Sequence, residues 1–284
     1  MKEISGASDT VKHSGGNSYA VLIPSKNGEA TIAQTLQSIL SQTIPIGEVI
    51  VIDDASTDAT PQILKRFPQV ITIRFEHKLP RDFARVPKLI NRGLKRISKP
   101  CSYVMISGDD SLYPSNYLQL MHEALAKDPK LLVCSGSHTT QRTVDETSPH
   151  GSGRVIRYSF LKRILPLPES IGWESWILFK AQQMGGRVAR IPNVSYQHLR
   201  PYGASSVWTF GQSMHELGYP FWFVLARTAK NIVFESNKLQ QLTMIAGFLE
   251  FKFRRKPKLD VADFVARSQT YRLKKLLRKI VLKN

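Results

Sequence analysis

Apolar residues recur in two rhythms over the first two thirds of the chain. Short continuous runs, YAVLIP (Tyr19–Pro24), EVIVIDD (Glu48–Asp54), QVITIRF and SYVMIS, read as strands buried on both faces. Between them the apolar positions fall at helical spacing, as with Ile32, Leu36, Ile39 and Leu40 in ATIAQTLQSILSQ. TPQILKRF is a second helix, with Thr60 as N-cap and Pro61 at the first helical position, and KLINRGLKRI a third. SNYLQLMHEALAKD follows as a helix capped by Ser115, then LLVCSGS as a further strand. Residues 139–170, rich in Ser, Thr, Gly and Pro, read as irregular, and from Val207 onward the pattern turns helical, aromatic and basic. Strand and helix alternating at this pace predict an α/β, Rossmann-like fold: βαβ units about a mainly parallel sheet with flanking helices.

Ligands of such sheets gather at the carboxyl ends of the strands. Three polar clusters fall there: Ser25-Lys26-Asn27, Asp53-Asp54, and the pair Asp109-Asp110 in YVMISGDDSLYP. Adjacent carboxylates repel, so a fold gains by placing them together only where a cation or solvent separates their fields. With Gly108 permitting close backbone approach, the pair is a natural site for a hard cation, Mg²⁺ or Mn²⁺, shared with diphosphate oxygens. Such an ion neutralises the charge that builds on a departing phosphate.

Charge changes the picture at the other end. The 284 residues carry 40 Lys and Arg against 22 Asp and Glu, a net +18, which demands an anionic partner. Residues 251–284 hold twelve of the cations and only Asp260 and Asp263 as acids. In the last segment Leu273, Leu276, Leu277, Ile280 and Val281 share one helical face, with Lys274, Lys275, Arg278 and Lys279 on the other. Trp208, Phe210, Tyr219, Phe221, Trp222 and Phe223 load the preceding part with aromatics. Basic charge opposite an apolar stripe predicts a helix lying in an anionic membrane interface. No run approaches the roughly 18 to 20 apolar residues of a membrane span. Nucleic acid is the rival explanation of the charge; against it, no recognisable binding motif or repeating stacking pattern accompanies the basic residues. The opening residues have no apolar segment of the signal-peptide kind. Cys101 and Cys134 are too few for a disulfide framework and imply reduced thiols in a cytosolic setting.

YAVLIPSKNGEATIAQTLQSILSQ, VIVIDDASTDAT, ARVPKLINRGL and YVMISGDDSLYP, in this order and spacing, resemble the family-2 inverting glycosyltransferases of the GT-A fold over residues 19–200. The resemblance implies that Asp54 reads the nucleotide base, that Asp109 contacts the ribose and that Asp110 is the metal ligand. Pro24, Ser25, Asn27 and Glu29 would border the base and ribose, and Arg85 would lie close to the nucleotide; Asp58 reads as turn chemistry. His198, in VSYQHLRPYG, matches a histidine that meets metal or diphosphate, with Arg200 beside it placed to meet phosphate. The remaining histidines (His13, His77, His122, His138, His150 and His215) have no ligand-like spacing. An inverting transferase needs a base for the acceptor hydroxyl. Relatives carry it in a stretch like GWEDWDL, which here reads GWESWIL, Gly172 to Leu178. Glu174 matches the first acid and is the expected base, while Ser175 stands where an aspartate is usual.

The expected organisation is a tail over residues 1–18, a GT-A catalytic unit over 19–205, and a helical, basic, membrane-associating region over 206–284. The expected activity is metal-dependent transfer of a sugar from a UDP or GDP sugar to an acceptor hydroxyl or lipid phosphate. A lipid-linked, polyprenyl-type acceptor and a peripheral position on the inner, cytoplasmic face of the cell membrane account for the basic end. Ser175 raises the alternative of a catalytically silent module that binds nucleotide sugar or an anionic surface.

Overall fold

The computed structural model describes residues 18–76, 83–139, 148–200, 207–234 and 237–281, with side chains through residue 275. The first half runs β1 (Tyr19–Ser25), α1 (Ile32–Leu40), β2 (Ile46–Asp53), α2 (Thr60–Leu64) and β3 (Val70–Arg74). After a short 3₁₀ turn come α3 (Val86–Leu94), β4 (Tyr103–Ile106), β5 (Ser111–Leu112), α4 (Tyr117–Lys127) and β6 (Leu131–His138). Then follow β7 (Arg154–Arg157), α5 (Tyr158–Ile164), α6 (Trp173–Gln183) and β8 (Arg187–His198). Helices α7 (Val207–Glu216), α8 (Phe221–Phe234), α9 (Lys238–Phe253) and α10 (Ala262–Val281) complete the chain.

The eight strands form one sheet in the order β3-β2-β1-β4-β7-β6-β8-β5. The continuous apolar runs are explained by burial on both faces. Ala20 and Leu22 of β1, with Ile50, Ile52, Val104 and Ile106, point into a core closed by α3, α5 and α6. Tyr19, Val21 and Ile23, with Val49, Val51 and Met105, point the other way, into a core closed by α1 and α4. Burying each such aliphatic side chain contributes about 1.5–3 kcal/mol, so a break in either rhythm would be felt.

The sheet is mainly parallel, as expected: β1, β2, β3, β4, β6 and β8 run in one direction, and β7 and the two-residue β5 run against them. Two expectations need correction. Residues 139–170 are not irregular throughout, since they contain β7 and α5; β7 is only RVIR, and a four-residue run with two arginines carries almost no strand signal. The helix caps also move. Asp58 accepts the Thr60 N–H at 3.0 Å, so α2 opens at Ala59 and the Thr60 hydroxyl is freed to accept the Gly28 N–H at 2.8 Å. Asn116 rather than Ser115 begins α4, without a side-chain cap.

The C-terminal helices pack first on one another. Gly211 of α7 and Gly247 of α9 let the two backbones touch: a Cβ at Gly247 would come within 2.1 Å of the Trp208 carbonyl oxygen. Val261 and Val265 then enter the core beneath α6, so α10 starts buried in the protein. Side chains of Leu276, Leu277, Arg278, Lys279, Ile280 and Val281 lie outside the described residues, as do residues 1–17 of the expected tail. Among the described residues no helix is long and apolar enough to cross a membrane. Both cysteines are free, and burial pushes the Cys134 thiol up to about 12.

Candidate functional site

Parallel pairing of β1 with β2 and β4 brings Ser25, Asp53-Asp54 and Asp109-Asp110 to one edge of the sheet. Asp53 is fully buried; its carboxylate holds Arg74 at 2.5 Å and accepts the Ser56 N–H at 2.9 Å, a structural anchor for the loop after β2. Its neighbour Asp54 turns toward the rim. One of its oxygens takes Arg85 at 2.6 Å and the other Lys26 at 3.4 Å. Arg85 is thus no solvated helix charge: its guanidinium also lies 5.6 Å from the centre of the Phe75 ring.

The loop after β1 is braced against the loop after β2 by the side chains expected around the nucleotide. Asn27, in a left-handed conformation (φ 53°), accepts the Thr57 N–H at 2.9 Å, and Glu29 accepts the Ala59 N–H at 2.8 Å. Asp58 reciprocates by accepting the Glu29 N–H at 3.0 Å. Burial raises the Asp58 carboxyl, but these backbone bonds and the Thr60 hydroxyl outweigh it and hold the group low. Pro24 is half-buried in β1, opposite Ile52. Asn27 and Glu29 therefore fix the two loops on one another, and Ser25 reaches further: its hydroxyl donates to Asp109 at 2.6 Å. Gly28 leaves room for that contact, since a Cβ there would fall 2.7 Å from the Asp109 carboxylate.

Asp109 and Asp110 share Arg200 but differ in burial. Asp109 is buried and pairs with Arg200 at very short range, while Asp110 stays partly open to solvent. Asp110 meets Arg200 Nε at 3.3 Å and His198 Nδ1 at 3.3 Å. Burial raises its carboxyl, but the His198 hydrogen bond and the Arg200 charge more than offset that and hold it below the usual carboxylate range. His138 corrects an expectation: it does reach the site. Pairing of β6 with β8 sets its ring 4.7 Å from that of His198, and its Nε2 accepts the His198 N–H at 3.2 Å. His150 also faces this group, and burial followed by the nearby cationic and imidazole charges lowers it to about 4. Among the described residues no group of three or more His, Cys, Asp or Glu forms a ready cage for an ion.

Across the rim, Ser152 ties the segment before β7 to the aspartate loop through the Gly108 N–H (2.9 Å), Ser111 (2.7 Å) and Tyr113 (2.8 Å). The adjacent Gly151 carries the Glu174 carboxylate directly against its backbone, where a Cβ would sit 2.5 Å from Oε1. Glu174 lies exposed in the first turn of α6, beside the half-buried Ser175. Beneath it the buried Arg154 donates to the carbonyls of Glu174 (3.0 Å), His150 (3.0 Å) and Pro149 (3.3 Å). Arg154, Ser152 and His138 are the participants that sequence reading missed. None of the three carries a local signal: even Arg154 stands in RVIR, a stretch too short and too charged to read as a buried strand.

The C-terminal helices hold α6 in place. Glu216 accepts the Gly172 N–H at 3.3 Å, and Asp260 accepts both Trp176 Nε1 (2.6 Å) and Lys180 (2.8 Å). Burial raises the Asp260 carboxyl, but the bonds from Lys180 and Trp176 outweigh it, so its value lies below the ordinary 3.8. A lowered folded-state value means stability present above the unfolded value and lost as pH falls through the folded one. Asp260→Asn is expected to cost under about 1 kcal/mol at neutral pH, because Asp260 is largely exposed. The difference from the native chain should close as pH falls through the lowered folded-state value of Asp260, as read by urea unfolding across pH. A cavity of about 860 Å³ between β3, α3 and Leu165-Pro166 includes none of the assigned site residues.

The family model for glycosyl transferase family 2 matches residues 20–182. Poly-β-1,6-N-acetyl-D-glucosamine synthase of Staphylococcus epidermidis is 28% identical over 149 residues, 52% of this chain and 34% of that one. The minor teichoic acid biosynthesis protein GgaA of Bacillus subtilis (strain 168) is 30% identical over 113 residues, 37% of this chain and 24% of that one. The chain thus spans about a third or less of those relatives. Among solved structures, mannosyltransferase PcManGT from Pyrobaculum calidifontis, in complex with GDP-Man and Mn²⁺, superposes with TM-score 0.60 at 20% identity. That match covers 94% of this chain and 83% of the other. S. aureus TarS 1-349 in complex with UDP-GlcNAc gives 0.56 at 18% identity, covering 83% and 73%. At such identity these superpositions speak to the fold, and the family model, spanning more than half of the residues, speaks to descent. The chain belongs to glycosyl transferase family 2 and is built on the GT-A fold.

Proposed function

We propose that the chain transfers a sugar from a UDP or GDP sugar to an acceptor hydroxyl or lipid phosphate, with inversion at the anomeric carbon. The observation that carries this reading is the rim itself: Asp54, Asp109 and Asp110 on one side, Glu174 on the other, bridged by Ser152. Donors of both nucleotide types occur in the structural neighbours described above. Asp54, aimed by Arg85 and Lys26, accepts the base N–H, and a carboxylate is the strong acceptor for that bond. Asp109, fixed by Ser25, accepts from the ribose.

Asp110 and His198 fit a divalent ion, Mg²⁺ or Mn²⁺. A carboxylate and an imidazole already converge there, and Gly108 keeps a Cβ from closing to within 2.8 Å of Asp110. When bound, the ion supplies positive charge to the leaving diphosphate. Arg200, which pairs with both acids, stands beside them to meet the diphosphate. Glu174 takes the acceptor proton as the acceptor oxygen bonds to the anomeric carbon; the bond to the diphosphate breaks, and the nucleoside diphosphate carries off its electron pair. Arg154 holds the Glu174 main chain while this happens. A lipid-linked acceptor at the cytoplasmic face of a membrane accounts for the basic aromatic end.

The silent-module reading keeps one observation in its favour, Ser175 beside a single exposed carboxylate. A panel of nucleotide sugars, with and without Mn²⁺ or Mg²⁺, separates the two by thermal shift followed by donor turnover. One donor class at saturation should raise Tm by roughly 5 °C or more, only with the ion present. A shift without turnover would favour the silent module, and no shift with any donor would overturn both.

A further inference from the structure

The stripe expected on the last helix lies mostly among side chains outside the described residues, and within the same basic region α8 and α9 present an apolar face of their own. All ten large hydrophobic side chains exposed among the described residues lie between Trp208 and Tyr271, and six of them are on α8 or α9 beyond Phe221. Helix α9 is apolar on two sides. Gln241, Met244, Gly247, Phe248 and Phe251 are buried toward α7, as the touching backbones of Gly211 and Gly247 require. Leu239, Leu242 and Phe253 are exposed along the opposite side, with Ala246 partly covered and Leu249 packed in part against the core between them. Leu239 is 82% exposed and Phe253 78%. Helix α8 adds Leu225, Val233 (70% exposed) and Phe234 (76%), while Val224 and Thr228 face inward. An exposed apolar stripe of this length marks a docking surface.

We infer that the outer stripe of α8 and α9 docks into an anionic lipid surface, a proposal that rests on the membrane-side reading above and narrows it to one face. Charge chooses this occupant. Between Phe221 and Lys258 the chain has eight cations and two acids, Glu235 and Glu250. Arg227, Lys230, Lys238, Lys252 and Arg255 are exposed, and Lys252 lies 6.0 Å from the Phe221 ring. Long basic side chains can lie along an apolar stripe and lift their charges to a headgroup layer. A second copy would instead bring two strongly positive faces together. The helices lie in the interface, since none among the described residues is fit to cross it.

Flotation of the whole chain with vesicles tests this, using phosphatidylcholine alone or mixed with phosphatidylglycerol. The native chain should float with the mixed vesicles and roughly a hundredfold less with neutral ones. Leu239→Gln, Leu242→Gln and Phe253→Gln together should lose roughly a hundredfold in partitioning with circular dichroism unchanged. Lys230→Gln, Lys238→Gln and Lys252→Gln together should lose binding to the mixed vesicles alone. Three results would overturn the proposal: the apolar variant floating like the native chain, displacement of the native chain from vesicles by an oligonucleotide, or a dimer in gel filtration that the apolar variant breaks. Donor-induced thermal shift on the same samples keeps the readings apart. Lost flotation with an intact shift sinks only this face; an absent shift with intact flotation sinks the nucleotide-sugar site.

Discussion

Glu174→Gln is expected to leave donor binding intact and to lower the rate of transfer by about 10²–10⁴-fold, the usual contribution of a positioned base. Glutamine keeps the shape of the side chain and its contact with Gly151. Its amide cannot take the acceptor proton. The change should be nearly silent for folding, within about 0.5 kcal/mol, because Glu174 is exposed and Arg154 holds it through the main-chain carbonyl rather than the carboxylate. Single-turnover transfer at saturating donor isolates the chemical step, and donor affinity measured alongside shows whether binding has moved. A rate equal to that of the native chain would remove Glu174 as the base. Ser175 offers no replacement, since a serine hydroxyl does not accept a proton at neutral pH.

Much of this layout was readable because charge at a strand end is conspicuous. Ser25, Asp54, Asp109 and Asp110 each follow an apolar run, and β1, β2 and β4 pair in parallel, so their ends must meet. What escaped depends on pairings that no local pattern encodes. His138 and His198 are sixty residues apart, and only the parallel pairing of β6 with β8 stacks them. Arg154 escaped because a buried guanidinium is expected beside a carboxylate, whereas here its N–H groups end on three backbone carbonyls. Thr60 was misread as a cap because Asp58, two residues earlier, satisfies the first free N–H more strongly. Helix α9 hid its second apolar face for the opposite reason: with Leu239 and Phe253 on one side and Met244 and Phe248 on the other, only the narrow strip of Gln240, Thr243 and Glu250 is polar, too little to define an orientation.

The two aspartates opened as a pair, and their expected responses to the same change differ. Asp110→Asn preserves size and a hydrogen bond to His198 while deleting one negative charge from the partly open side of the site. The folded chain should tolerate this, because Arg200 still has Asp109. What should vanish is the ion-dependent part of donor stabilisation, and with it roughly 10³-fold or more in transfer, equal to about 4 kcal/mol of lost charge compensation at the diphosphate. Asp109→Asn strikes a buried group that Ser25 and Arg200 both grip. Removing one partner of a buried ion pair costs about 3 kcal/mol or more, so this variant should melt markedly earlier before any donor is added. Thermal unfolding without ligand, then with donor and Mn²⁺, reads both effects in one series. If Asp110→Asn unfolds early and Asp109→Asn keeps its stability, the division of labour is reversed. If neither variant changes the response to donor and ion, the cation does not sit on this pair.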